Sequence, residues 1–216
     1  MNDCSISIAG QALRLLPERA VFWPAAGALL VADLHADKPE TLRAAHIAAP
    51  ASALETDLQR LSSALHRTRA HRLVILGDLY HAPRGADAPV TARALHRWRR
   101  AHAALEIDLV VGNHDRRAGP PPETLAIRSH ADALDLQPFR LVHEPAPDPA
   151  GYVLAGHVHA GVRLAAGADA VTVPAFRFGP AVGVLPSFGA LTAPAPTPPH
   201  PSERIYAIAD DEVIPL

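Results

Sequence analysis

The stretch ALLVADLH, residues 28–35, runs through five apolar residues and ends on an aspartate and a histidine. A continuous apolar run of this length is typical of a strand buried on both faces of a parallel sheet. Two later stretches share the arrangement: LVILGD at residues 73–78 and DLVVGNHD at residues 108–115. Because ligands collect outside the carboxyl ends of the strands in an open α/β sheet, we expect these polar residues to converge on one crevice.

The segments between these strands have the spacing of helices. Leucines at positions 54, 58, 61 and 65 predict a helix over Leu54–Arg69, and an Ala- and Arg-rich stretch predicts another over Val90–Ala104. The first half therefore alternates strand and helix, which indicates a largely parallel sheet. After residue 120 the pattern changes to short strand candidates at Arg140–His143, Tyr152–Ala155, Val162–Leu164 and Ala170–Val173. Short strands are also expected at both ends of the chain, at Ser5–Ala9, Ala12–Leu16, Ile205–Ile208 and Val213–Ile214.

The bulk properties limit the class of protein. A length of 216 residues suits a single domain, 1–216, and a net charge of -2 argues against a strongly basic nucleic-acid binder. Cys4 is the only cysteine, so no intrachain disulfide forms, as suits a reducing compartment. No apolar run reaches the roughly 18 residues of a membrane helix, and the first residues lack a signal-peptide pattern. We therefore expect a cytoplasmic protein without membrane partners.

The polar residues have the character of metal ligands. Asp33 and His35 lie two positions apart, as do His157 and His159, and an extended backbone would point each pair to one side. Carboxylate, imidazole and amide oxygen suit Mn, Fe, Zn or Mg, and no cysteine cluster offers a structural zinc site. Several carboxylates and histidines together favour two adjacent ions, which serve phosphoester hydrolysis well. The glycines that precede polar residues, Gly77, Gly112 and Gly156, permit close approach of the backbone.

Five motifs occur in a fixed order: Asp33-Leu34-His35, Gly77-Asp78, Gly112-Asn113-His114-Asp115, the single His143, and Gly156-His157-Val158-His159. In this set and order the chain resembles the calcineurin-like metallophosphoesterase superfamily. The resemblance implies an α/β fold of the calcineurin-like type, a four-layer α/β/β/α sandwich with a central β-sandwich flanked by helices. It also implies two divalent metal ions, with Mn the first expectation and Fe, Zn or Mg as alternatives.

The resemblance assigns a role to each motif residue. The implied metal ligands are Asp33, His35 and His159 for one ion, Asn113, His143 and His157 for the other, and Asp78 shared by both. His114 matches the catalytic histidine that contacts the substrate and protonates the leaving oxygen, and Asp115 is expected to orient it. The implied reaction is in-line attack on phosphorus by a hydroxide that both cations activate.

A narrower resemblance covers more of the chain. The Asp33-x-His35-x-x-Lys38 spacing, Ala49-Pro50, and the stretches 176–179 (FRFG) and 185–189 (LPSFG) are similar to the bacterial ligase-associated DNA-damage-response phosphoesterases. This group implies a phosphodiesterase or endonuclease of DNA repair, with a DNA ligase and a helicase as pathway partners. Where the group often has His-x-Gly-Lys, this chain has an aspartate, Asp37.

Three functions follow from these residues. The leading hypothesis is a two-metal phosphodiesterase acting on nucleic acid, with Arg116 and Arg117 as substrate-binding residues because they follow the catalytic motif. The alternative is a small-molecule phosphoesterase acting on a nucleotide, a cyclic nucleotide or a nucleotide-sugar pyrophosphate. A noncatalytic scaffold is the least favoured, since all the ligand positions and His114 are filled.

Some features leave both a functional and a structural interpretation open. His81 is either a supporting residue of the metal centre or an ordinary histidine. The phenylalanines at 176, 178 and 188 either form an apolar wall or belong to the core. The Pro-rich segment 193–201 (APAPTPPHP) is either a lid or a surface connection.

Overall fold

The computed structural model describes residues 2–166, 169–198 and 200–216. Two β-sheets pack face to face, and helices lie on the first of them. The first-half elements are β1 Cys4–Ile8, β2 Gln11–Leu16, β3 Ala20–Trp23, β4 Ala28–Val31, α1 Lys38–Ala44, α2 Ala53–Thr68, β5 Arg72–Leu76, α3 Pro89–Ala101, β6 Glu106–Val110, α4 Asp115–Ala118 and β7 Ile127–His130. The second-half strands are β8 Ala133–Leu136, β9 Phe139–Val142, β10 Tyr152–Ala155, β11 Ala160–Ala166, β12 Asp169–Phe178, β13 Val182–Val184, β14 Ala195–Pro196, β15 Arg204–Ala209 and β16 Glu212–Pro215.

The first sheet has the strand order β1-β2-β3-β4-β5-β6-β7. Strands β4 to β7 are parallel, as the alternation of strand and helix predicts, and β1 to β3 extend the sheet antiparallel. The register sets Val31 beside Ile75 and Leu76 beside Val110. Strands β4, β5 and β6 therefore end at one edge of the sheet, and the polar residues that follow them in sequence start from that edge.

The helix face of the first sheet forms one core. Leu58, Leu61 and Leu65 of α2 are buried against Leu29 and Leu73 of the sheet. Full burial of such a side chain contributes about 1.5–3 kcal/mol, so the leucine spacing of α2 fixes which helix face meets the sheet.

The second core lies between the two sheets. Phe139, Phe176 and Phe178 of the second sheet are fully buried there, and the ring of Phe139 meets Trp23 edge-on at 4.9 Å. Phe188 is buried in the helix-side core. These phenylalanines are therefore packing residues. The predicted α/β fold, with two packed sheets and flanking helices, is confirmed.

In the described part of the chain, the α-helices all lie between Lys38 and Ala118. None of the described helices is long and apolar enough to cross a membrane.

The Pro-rich segment is bound to the second sheet. Its Ala195–Pro196 portion pairs with β11, and the guanidinium of Arg177 donates to the carbonyls of Thr197 and Pro198 at 3.1 and 3.0 Å. These contacts favour a surface connection over a lid. Pro199, within this segment, lies outside the described residues.

One buried carboxylate ties three parallel strands together. Asp108 of β6 is fully buried and accepts hydrogen bonds from Arg72 at 2.8 Å, Arg128 at 3.0 Å and His130 at 2.8 Å. Burial alone would raise the pKa of this carboxyl. The hydrogen bonds from Arg128, His130 and Arg72 outweigh burial and hold the pKa well below its ordinary range.

We expect Asp108→Asn to lower the free energy of unfolding by about 2 kcal/mol at pH 7, because hydrogen bonds to a charged group are lost. A carboxyl with a depressed folded-state pKa stabilises the protein above its unfolded pKa of about 3.9, and this stabilisation fades as the pH falls toward the folded-state value. Urea unfolding from pH 7 to pH 3 should therefore show the two proteins converging below about pH 4. A stability difference that stays constant down to pH 3 would contradict this account.

Candidate metal centre

The polar residues that follow the strands meet at one edge of the two sheets. Asp33 and His35 follow β4, Asp78 follows β5, Asn113 to Asp115 follow β6, His143 follows β9, and His157 and His159 flank the turn after β10. Strands of both sheets thus supply the site, and the loops after them bring distant parts of the chain together.

Asp33, His35 and His159 form the first ligand set. Each offers one ligand atom, and these atoms lie within 4.8 Å of one another. The Nε2 atoms of His35 and His159 are 3.3 Å apart. Asp33 and His35 are buried, whereas His159 is half-buried and forms the solvent side of the set.

Asp78, His143 and His157 form the second set, with ligand atoms again within 4.8 Å. His143 Nε2 lies 3.0 Å from His157 Nδ1 and 3.4 Å from Asp78 Oδ2. The amide oxygen of Asn113 lies 2.9 Å from His143 Nε2 and 3.1 Å from His157 Nδ1. The structure therefore brings all four residues of the predicted second group together.

The two sets are adjacent. The carboxylate of Asp33 accepts the backbone N–H of His157 at 3.0 Å, and it lies 3.9 Å from His143 Nδ1. This proximity fits a pair of cations, and the shared role of Asp78 between them stays a prediction.

The hydrogen bonds at the Nδ1 atoms of His35 and His143 show whether the two ligand sets fit a metal ion. His35 Nδ1 lies 3.2 Å from the Tyr80 carbonyl, and His143 Nδ1 lies 3.0 Å from the Leu76 carbonyl. A carbonyl only accepts, so each Nδ1 carries the proton and a neutral ring turns its Nε2 lone pair toward the cluster. For His143 that lone pair faces the oxygens of Asn113 and Asp78. Acceptors that converge in this way fit a divalent cation, and this donor set suits Mn, Fe, Zn or Mg.

Burial controls the ionisation of the first set. It raises the pKa of Asp33 to about 8 and lowers the pKa of His35 to about 3 and that of His159 to about 4. For Asp78, burial alone would raise the pKa, but the hydrogen bond and charge of His143 give a net lowering. Without a cation His35 and His159 are therefore neutral at pH 7, which is the form of imidazole that binds a metal.

The backbone of these ligands corrects one prediction. Asp33 and His35 have φ angles of 53° and 48°, and His157 and His159 have 71° and 49°, so the expectation of an extended backbone is wrong. Strand β4 ends at Val31, and the chain then pairs with the loop after β5 rather than continuing the strand. Aspartate and histidine adopt this left-handed region more readily than most residues. The residue types of the motif therefore do not distinguish it from an extended backbone.

Gly112 explains why a glycine precedes the second-set residues. A Cβ atom at this position would lie 2.1 Å from Asp78 Oδ1, a distance that forces the carboxylate to move. We expect Gly112→Ala to lose metal and turnover, and overpacking of this kind also costs about 1–3 kcal/mol of stability. Elemental analysis and urea unfolding measure the two effects.

Gly179→Ala is the matched control, because a Cβ there would meet nothing closer than 3.5 Å. If Gly112→Ala kept a full metal complement, the close approach to Asp78 would have no functional importance.

His114 lies beside the first ligand set. Its ring is 5.3 Å from the His35 ring and stacks on His81 at 5.0 Å, and its Nδ1 donates to the His81 carbonyl. The expectation that Asp115 orients His114 is wrong. The two oxygens of Asp115 instead accept the backbone N–H groups of Tyr80 and Gly112, each at 3.0 Å. Asp115 is buried and holds the surrounding loops together through these two hydrogen bonds.

Two residues outside the predicted set accompany these ligands. His81, left open above, packs edge-on against His35 at 5.0 Å as well as stacking on His114. Lys38 is half-buried, donates to Thr192 Oγ1 at 3.2 Å, and its charge helps to lower the pKa of His35, His81 and His159. The Asp-x-His-x-x-Lys spacing was the sequence signal for Lys38.

The predicted substrate-binding arginines are both exposed and lie in α4, directly after His114. The Arg116 guanidinium turns toward the Ala131 carbonyl at 3.4 Å and the Asp132 carboxylate at 3.7 Å. Both contacts are long, and the Arg116 side chain is 51% exposed. Substrate contact by Arg116 and Arg117 stays a prediction.

Comparison with known proteins relates this chain to a nuclease of known structure. The sequence matches no protein-family model and no curated protein. Among solved structures, the Pseudomonas putida nuclease MPE is 40% identical to this chain, with 100% of both chains covered and a TM-score of 0.88. Yfce, a phosphoesterase from E. coli, is 20% identical over 87% of this chain and 96% of its own, with a TM-score of 0.42. Because it is 40% identical over its full length to the P. putida nuclease, the chain belongs to the metallophosphoesterase family.

Proposed function

We propose that this protein is a two-metal phosphodiesterase that cleaves nucleic acid. The observation that carries the proposal is the pair of adjacent ligand sets with His114 beside them. Two divalent cations in such a centre neutralise charge on the phosphate oxygens and lower the pKa of water. The P. putida relative is a nuclease, which supports a phosphoric ester hydrolase. Manganese is the metal that we expect first.

The residues of this chain supply binding and proton transfer. His114 Nδ1–H donates to the His81 carbonyl, so His114 would act in its protonated form and give the proton on Nε2 to the leaving oxygen. Its backbone N–H donates to Asp78 Oδ1 at 2.9 Å, which couples the position of the histidine to the second ligand set. The positive charge of Lys38, beside the first set, stabilises the negative phosphate group.

The open side of the centre favours a polymeric substrate. Asn113, His114, His157 and His159 are all half-buried, and Val158 between the last two is 41% exposed. An open rim of this kind admits an extended phosphate backbone, whereas a small-molecule phosphoesterase encloses its ligand. Arg116 and Arg117 are exposed, follow His114 directly in the chain, and would contact further phosphates. A role in DNA repair beside a ligase and a helicase belongs to this proposal through the sequence resemblance. A cytoplasmic location, expected from the composition, belongs to it as well.

Hydrolysis of an aryl phosphodiester, an aryl phosphomonoester and single-stranded DNA, each with and without Mn²⁺, tests the proposal. We expect metal-dependent cleavage of the diester and of DNA, with cleavage of DNA weakened by salt and by Arg116→Ala combined with Arg117→Ala. Cleavage of the aryl diester but not of DNA would move the substrate to a small molecule. No hydrolysis with any divalent metal would contradict the enzyme assignment.

A further inference from the structure

Asp37 is a buried acid that the proposed reaction has not yet used. Its side chain is 1% exposed, and it stands where the related group often has glycine. Its Oδ1 accepts the backbone N–H of His81, and its Oδ2 accepts the N–H of Ala82 at 2.9 Å. Thr41 Oγ1 adds a longer contact to Oδ2 at 3.3 Å. One carboxylate therefore holds two consecutive peptide groups, 80–81 and 81–82.

The far ends of the same two peptide groups face the centre. A peptide group is planar, and its N–H and C=O point in opposite directions. The 80–81 peptide gives its N–H to Asp37 and offers the Tyr80 carbonyl to His35 Nδ1 at 3.2 Å. The 81–82 peptide gives its N–H to Asp37 and offers the His81 carbonyl to His114 Nδ1. Each peptide therefore connects Asp37 to one histidine.

We infer that Asp37 is a positioning residue that fixes the tautomer and ring orientation of His35 and His114 together, through these two peptides. Anchoring both N–H groups on one carboxylate prevents either peptide from rotating. Because hydrogen bonds in a chain polarise one another, the carboxylate also makes both carbonyls better acceptors. The Nδ1 proton of each ring is held, which leaves Nε2 of His35 for the metal and Nε2 of His114 for the substrate. This role rests on the proposed function, since it concerns the same site.

A nearby glycine makes room for the Asp37 carboxylate. A Cβ atom at Gly85 would lie 2.6 Å from Asp37 Oδ2, so the glycine allows the loop to close over the acid. The interaction spans 44 residues of chain between Asp37 and His81, which places it beyond any local motif.

The test compares Asp37→Ala and Asp37→Asn with Asp108→Asn in the full-length, metal-loaded protein. Asp108 is also a fully buried, hydrogen-bonded aspartate, but its partners are Arg72, Arg128 and His130, away from the metal centre. We expect Asp37→Ala to lower kcat on the aryl diester by about 10- to 100-fold, the usual effect of losing an outer partner of a metal site, with an unchanged KM. Asp108→Asn should lose stability and keep its kcat.

Histidine-ring NMR of the protein loaded with diamagnetic Zn²⁺ gives a readout independent of turnover. The wild type should show slowly exchanging Nδ1 protons for His35 and His114, the latter assigned by its loss in His114→Ala. Asp37→Ala should lose the protection of both protons. Asp37→Asn keeps a single acceptor oxygen, so we expect only one of the two Nδ1 protons to stay protected from exchange and kcat to be intermediate. If Asp37→Ala does not fold, the result for Asp37→Asn tests the inference.

Full kcat and two protected ring protons in a folded Asp37 variant would overturn the inference. An inactive wild type with any metal would instead refute the proposed function, while the ring protons would still report on Asp37. The two failures are therefore distinguishable.

Discussion

An Asp78→Ala variant should lose metal from the centre and fall in turnover by more than about 100-fold, since losing an outer-shell partner alone costs about 10- to 100-fold. Asp78 Oδ2 lies 3.4 Å from His143 Nε2, and Oδ1 accepts the backbone N–H of His114. The substitution therefore removes a predicted ligand and releases the loop that carries His114, the predicted catalytic histidine. Elemental analysis of the purified protein and calorimetric titration with Mn²⁺ measure the loss of metal.

Asp78→Asn separates these two effects. The amide oxygen still accepts the His114 N–H, but the negative charge that favours a cation is gone. We expect the loop to stay in place while metal affinity falls. Asp135→Ala serves as the matched control, because Asp135 is an exposed acid of β8 that pairs with Arg140. If Asp78→Ala kept two ions per chain, the predicted shared role of Asp78 would be wrong.

His114→Ala should keep both ions and lose most of its turnover. General acid catalysis contributes about 10²- to 10⁴-fold, and the ligand sets do not include His114. The loss of turnover should depend on the leaving group. An acidic aryl oxide such as nitrophenolate leaves the aryl diester without a proton, whereas the alkoxide of a nucleoside needs one. We therefore expect a larger fall for DNA than for the aryl diester, measured as kcat at saturating Mn²⁺.

His66→Ala is the matched control for this substitution, since His66 is an exposed residue of α2. An equal loss of rate on both substrates would indicate that His114 binds the phosphate rather than protonating the leaving oxygen. Unchanged kcat on DNA, with metal bound, would remove it from the mechanism altogether.

The sequence predicted the features that local patterns encode. The apolar runs gave β4, β5 and β6 to within two residues, and the leucine spacing gave α2. Strand β12 is longer than the predicted Ala170–Val173, because it continues through Pro174 to Phe178. Pro174 pairs with Gly161 where the strand exchanges its partner β11 for β15, and a residue without an N–H is tolerated there.

The residues of the two ligand sets were predicted from motif order, but the contacts that hold the surrounding loops in place were not. Asp115 was paired with the adjacent His114 because neighbours in sequence are the only partners that a sequence displays. Its actual partners, Tyr80 and Gly112, depend on how two loops fold against each other. The partners of Asp37 are also distant in sequence, so no motif spacing predicts these contacts.

The left-handed backbone of the ligands has a consequence for protein engineering. Asp33, His35, Asp78, His157 and His159 all have positive φ angles, and a non-glycine residue held in that region costs about 1–3 kcal/mol. Selection for thermostability alone would therefore drift toward glycine at these five positions. A screen of variants for heat resistance should be paired with a screen for bound metal, since the most stable sequences for this fold would be inert ones.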